Sequence, residues 1–378
     1  MFAGSIFSTL IDWLASATGD EAKSDSVPTL DFPMPETAPT RMRFIPTRPM
    51  ERICCQMGQI LVPRRPLSLD PSTMWNKPHT FRPRAGNTIA MFPDPNAGLS
   101  DDGGTIGFVY TRHGGFIDLG HARDFIDHTN FFAAMYRDVA SGPGGEGSVF
   151  LWNAGADMHL LAEQTPSPPD FAICALLGAK LAFEYSIWHE IESYFSLEKY
   201  SSFAPEDVFS NAVGVVAGFR ALFNPSGTFD RAADQALKEV LELLGPVTME
   251  TTEKAMQYVK DHWWKETGAT GESKRRNFLS PGSIRPWLVT DLVIPGREAG
   301  AEELRKIIGK PQGASITIPT RHKGVFLERR ARLAFRNLPN GLKNLTGLDE
   351  ITSINLRAVS TMLRDLALSE EGASIATP

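Results

Sequence analysis

The sequence predicts an α+β fold, predominantly helical, organised around one buried central helix at about residues 170–197 with a few short strands. Three observations carry this. The stretch DFAICALLGAKLAFEYSIWHEIESYFSL has no proline after Pro169 and is apolar on most of its circumference. One stripe of its helical wheel holds Ile173, Leu177, Leu181, Ile187, Trp188, Ile191 and Phe195, and a second holds Leu176, Phe183, Tyr194 and Leu197. A helix apolar nearly all round is a core helix. Further helical patterns flank it, whereas the strand-like runs, IGFVY, SVFLW and ASITIP, are short.

Taken in order, residues 1–50 read as an apolar, amphipathic N-terminal segment interrupted by Asp12, followed by an extended linker or surface wrap rich in Pro, Thr, Ser and acidic residues. Residues 51–366 read as a single mainly helical domain, and 367–378 as a disordered tail. Within the domain, IGFVY (106–110) is a strand and Gly114–Gly115 a tight turn. A helix then runs from about 120 to 140, the loop SGPGGEG ends it, and SVFLW (148–152) is a strand. The central helix begins after Pro168 and Pro169. Another helix starts at Pro205, with Glu206 and Asp207 complementing its dipole. Its Gly214 and Gly218 share a face suited to packing against the small residues of the central helix. Helices near 230–244 and 249–264 follow, then a loop over 265–285, strands at WLVTDLVI (287–294) and ASITIP (314–319), and a short helix at 301–309.

The composition bounds the function. With 42% hydrophobic and 22% charged residues, the chain of 378 residues is that of a folded protein. A net charge of −6 argues against nucleic-acid binding, and the basic runs Lys274–Arg276 and Arg329, Arg330, Arg332 are short. No transmembrane segment is expected, and the N-terminus lacks the basic start of a signal peptide, which points to the cytoplasm. The three cysteines, Cys54, Cys55 and Cys174, form no disulfide framework and no CxxC metal motif. Oligomeric state is left open.

Several polar groups stand where apolar residues are expected. Glu184 and Glu190 lie in apolar stripes of the central helix, and His189 lies along its small-residue stripe. Buried charges need partners, a metal or a shifted pKa. His121, Asp124 and His128 share one face of their helix, a spacing that suits zinc, manganese or iron. His189–Glu190 is the first half of HExxH without its second histidine, because the fifth residue is Ser193. Asp118, with Arg112 and His113 around the Gly-Gly turn, offers a weak anion site. Asn211 sits inside an apolar helix and is a partner for His189 or Glu190. Cys54 or Cys55 with His121 as base is a further arrangement.

The segments RICCQMG, YTRHGGFIDLGHARD, WHEIESYF and SSFAPEDVFSN together resemble an uncharacterised bacterial domain-of-unknown-function family, often found in predicted envelope lipoproteins, over roughly residues 50–220. The resemblance implies a periplasmic or envelope location and no established activity. It also implies that Gly114, Gly115, Asp118, His121, His189, Glu190 and Asn211 belong to one shared pattern. Where that family has Cys-Arg, this chain has Arg112–His113.

The expected function is a hydrolase or acyl-transfer enzyme acting on a small-molecule or peptide-like substrate, assisted by a divalent metal. Glu190, His189, His121, Asp118 and Asn211 are the expected catalytic groups. His121, His189, Glu190, Asp124 and His128 are the expected metal ligands. Asp118 is assigned to orienting His121, and Asn211 to orienting the substrate or the Glu190 carboxylate. The alternatives are a non-catalytic envelope or interaction protein in which these groups form a structural polar network, and a thiol-dependent hydrolase using Cys54 or Cys55.

Overall fold

The computed structural model describes residues 27–34 and 108–372, except 154, 197–198, 225–227, 268–269 and 280–282. The expected N-terminal amphipathic segment and the Cys54–Cys55 pair lie outside the described residues. Eight helices are described: α1 (Leu119–Ala140), α2 (Phe171–Tyr194), α3 (Asp207–Phe223), α4 (Phe229–Leu244), α5 (Met249–Val259), α6 (Glu298–Ile308), α7 (Asn340–Thr346) and α8 (Leu356–Glu371). The strands are β1 (Thr29–Leu30), β2 (Phe108–Thr111), β3 (Gly115–Asp118), β4 (Gly145–Asn153), β5 (Asp157–Gln164), β6 (Trp264–Thr267), β7 (Thr270–Ser273), β8 (Ser315–Ile316), β9 (Arg321–His322), β10 (Val325–Phe326), β11 (Ala331–Arg336) and β12 (Glu350–Thr352). The fold is α+β and predominantly helical, with the apolar helix α2 buried.

Local chemistry sets the helix starts. Asp118 ends the β2–β3 hairpin and caps α1, accepting from the N–H groups of Gly120 and His121. Asp170, after two prolines, caps α2 through the N–H of Ile173. Thr228 caps α4 in the same way, and Gly245, at φ 67°, ends it in the left-handed conformation.

Helix α1 lies between α2 and α3, and small residues allow the close approach. A Cβ on Gly214 would stand 2.1 Å from the carbonyl oxygen of Ala122, and one on Gly178 would stand 2.4 Å from that of Thr129. Gly218 meets Ile126 and Thr129. The glycine face of α3 therefore packs on α1, not on the central helix as expected. Gly178 of α2 turns to α1 as well, so α1 is a shared partner. Helix α2 is also covered on its other side: Trp188 stacks on Phe335 of β11 with ring centres 4.0 Å apart. Among the described residues it is the one helix long and apolar enough to cross a bilayer. Its burial marks it as a core helix instead.

The largest sheet is antiparallel in the order β12-β11-β5-β4, with Leu160 opposite both Leu333 and Val149. The expected linker is tied down in part: β1 pairs parallel with β8, Leu30 is buried, and Phe32 packs edge-on against Phe219. A second apolar cluster joins Phe108, Tyr110, Phe116, Trp263 and Trp264 to Val289 and Leu304.

Four further expectations change. WLVTDLVI is not a strand but carries a 3₁₀ turn at Val289–Asp291. Side chains rather than a neighbouring strand bond its backbone: Tyr110 Oη accepts from the Val289 N–H, and Arg305 donates to the carbonyls of Thr290 and Leu292. The helix expected to reach 264 stops at Val259, where Asp261 turns the chain at φ 61°, and the expected loop contains the β6–β7 hairpin. Residues 367–371 continue α8, with Ala367 buried, while 373–378 lie outside the described residues.

Candidate metal centre

Three helix ends converge on one buried point. His121 stands in the first turn of α1, Glu190 near the C-terminal end of α2, and Asp207 at the start of α3. One ligand atom of each lies within 4.8 Å of the others, and the residues are 4%, 2% and 3% exposed. His121 Nε2 is 3.7 Å from Asp207 Oδ1. This buried His/Glu/Asp cluster could hold a metal ion.

The surroundings orient each group. Asn211 Oδ1 lies 2.6 Å from His121 Nδ1, so the imidazole donates there and turns its Nε2 lone pair toward the carboxylates. Asp118 fixes the backbone beneath it, and its own N–H donates to Ser210 Oγ on α3 at 2.9 Å. The chain between α2 and α3 holds the two acids. The Phe203 N–H donates to Glu190 Oε2 and the Ala204 N–H to Asp207 Oδ2, both at 2.7 Å. Ser202 Oγ donates to the Glu190 carbonyl at 2.8 Å.

Phe203 makes its bond from a φ of 54° while fully buried, an unfavourable conformation for a bulky residue that costs about 1–3 kcal/mol and concentrates at functional sites. The connection is clamped from behind. Buried Arg276 donates to the carbonyls of Lys199 and Ser202, and Asn277 donates to those of Phe203 and Pro205. One oxygen of each carboxylate is thus occupied by backbone. Among the described residues, Glu190 Oε1 is buried without a hydrogen-bond partner.

The site is crowded with negative charge. Burial pushes the Glu206 carboxyl up to about 8, and the charges of Asp118 and Glu190 add to that rise. Asp207 is held well above the usual carboxylate range, first by burial and then by Glu190, Glu206 and Asp118. The neighbouring charges acting on both are negative, so a dication would relieve the repulsion and return these groups to carboxylates.

The structure brings Asp118, His121, Glu190 and Asn211 together. His189 is half-buried, with its ring centre 6.3 Å from that of His121. Asp124 and His128 are not brought into the cluster. His128 is seven residues beyond His121, about 10 Å along the helix axis. Its Nδ1 donates to the Asp124 carbonyl at 2.8 Å, and its ring packs near Phe125, Phe132 and Tyr185. Asn211 bonds His121 rather than His189 or Glu190, and Asp118 holds His121 through its backbone rather than its ring. Glu184, the other acid of the central helix, pairs with Lys180. Gly115 serves packing: at φ 64°, its absent Cβ would lie 2.4 Å from the Trp287 carbonyl.

The sequence pattern marks Asp207 only as a dipole-compensating residue, and its place in the cluster comes from the fold. The available signal was its spacing: Asp207 and Asn211 are four apart, hence on one helical face, and both meet His121.

Residues 86–273 match the family described as Protein of unknown function (DUF4056). No curated protein and no solved structure matches. The DUF4056 match runs from before β2 to the end of β7 and contains His121, Glu190, Asp207 and Asn211. It stops short of Arg276, so the clamp behind the site lies outside it.

Proposed function

We propose that this protein is a metal-dependent hydrolase in which His121 Nε2 and the carboxylates of Glu190 and Asp207 hold one divalent transition metal. The observation that carries the reading is the buried convergence of these groups within 4.8 Å, with the imidazole tautomer set by Asn211 and each acid braced by a backbone N–H. One nitrogen and two carboxylate ligands suit zinc with a fourth position for water, and manganese or iron also accept this donor set. Such an ion lowers the pKa of its bound water to about 7. Water activated in this way would add to an acyl carbonyl carbon, and the leaving group would depart with a proton. His189, half-buried beside His121, is the group we assign to returning the proton to the leaving atom.

The test is elemental analysis of protein purified without added metal, where roughly one transition-metal ion per chain is expected. His121→Ala and Asp207→Asn should lose that ion while keeping the helical circular dichroism of the parent. Metal-free parent protein, together with variants that merely unfold, would replace this reading with that of a structural polar network.

A further inference from the structure

Helix α8 ends on two acids, Glu370 and Glu371, and its last turn carries no basic residue. The C-terminal end of a helix bears partial negative charge, so acids there are repelled unless cations meet them. Two cations do. Lys199 Nζ donates to Glu370 Oε2 at 3.0 Å. Arg276 faces Glu371 with two parallel bonds, Nε to Oε2 at 3.3 Å and Nη2 to Oε1 at 3.4 Å. Tyr194, the last residue of α2, donates from its hydroxyl to Glu370 at 3.3 Å and to Glu371 at 3.4 Å. Both cations also lie over its ring, Lys199 Nζ at 4.5 Å and the Arg276 guanidinium carbon at 5.2 Å from the ring centre.

Tyr194 is one helical turn beyond Glu190, so the two share a face of α2. The Arg276 side chain is 2% exposed, whereas that of Glu371 is 25% exposed. A buried guanidinium needs a carboxylate partner. Nη1 of this guanidinium holds the carbonyls of Lys199 and Ser202. The two amides that follow, of Phe203 and Ala204, are those that brace Glu190 and Asp207. Loss of the Glu371 charge would leave the guanidinium unpaired in the interior, and a turn toward solvent would release both carbonyls. We propose that the last turn of α8 is a latch on the metal centre, with Glu371 a positioning residue that acts through Arg276 on the Phe203 and Ala204 N–H groups. The latch is read from these contacts, but what it serves rests on the metal reading above.

Hydrogen exchange of the full chain in the presence of a chelator, followed by metal titration, tests this. Glu371→Gln should accelerate the Phe203 and Ala204 amides at least about tenfold and leave those of Leu177 and Leu181, in the middle of α2, at parental rates. Zinc affinity, measured against a chromophoric chelator, should fall about tenfold. Tyr194→Phe keeps the ring and loses both hydroxyl bonds. It should give the same pattern to a smaller degree, and it carries the test if Glu371→Gln does not fold. Parental exchange at the two amides, or an equal rise throughout α2, overturns the latch. Accelerated exchange with parental zinc affinity overturns the positioning role. Local acceleration in a protein that binds no zinc, manganese or iron overturns the metal reading and leaves the latch standing.

Discussion

Asn211 Oδ1 lies 2.6 Å from His121 Nδ1, and this contact decides which nitrogen of the imidazole faces the acids. With Nδ1 protonated toward Asn211, Nε2 is the free ligand atom. Asn211→Ala should therefore weaken metal binding about 10- to 100-fold, the usual effect of losing a group that orients a ligand. Competition with a chromophoric chelator measures it, and unchanged affinity would remove Asn211 from the site.

The metal-free protein should lose stability as pH rises. Folded Glu206 keeps its proton up to about pH 8, whereas its ordinary value is 4.5. Between these values the folded state holds more protons than the unfolded one, so unfolding free energy falls with pH. This contribution is fully present below 4.5 and is lost as pH passes about 8. Asp207 acts in the same direction. Urea midpoints in the presence of a chelator should be lower at the alkaline end, and saturating metal should reduce the difference.

Gly214→Ala should separate α1 from α3. The new Cβ would meet backbone, the Ala122 carbonyl at 2.1 Å, which no rotamer change relieves. A loss of about 1–3 kcal/mol or more is expected. Metal affinity should fall too, because His121 and Asp207 sit on the two displaced helices. A variant with parental melting and parental metal affinity would contradict this packing.

Arg276→Met should loosen the connection that braces the acids. Arg276 is 2% exposed and holds the carbonyls of Lys199 and Ser202, which precede strained Phe203. Faster hydrogen exchange at the Phe203 and Ala204 amides, with metal affinity reduced about tenfold, is the expected outcome. Exchange unchanged at those two amides would assign Arg276 to its ion pair with Glu371 of α8, 3.3 Å away, alone.

Cys174 should resist alkylation in the native protein. Burial pushes its thiol up to about 12, which leaves little thiolate at neutral pH. Iodoacetamide followed by peptide mass mapping should therefore find any rapid labelling at Cys54 or Cys55. Rapid native-state labelling of Cys174 would show that α2 opens.

The chain alone marked helices α1 to α6, though not every boundary, and the presence of a polar site; it did not mark α7 or α8. The apolar circumference of 170–197 marks a core helix because period and hydrophobicity are properties of adjacent residues. Proline, aspartate and glycine mark its neighbours' ends for the same local reason. His121 and Glu190 stood out because charge within an apolar pattern needs an explanation. Partnership was another matter. Only the tertiary structure turned both glycine-bearing helices onto α1, exchanged Asp124 and His128 for Asp207, and gave Asn211 to His121. Those choices depend on which helix ends meet across a gap of many residues, and on a backbone turn at Phe203 that local preference disfavours. Periodicity records which face of a helix is buried; it carries no information about which other helix lies against that face.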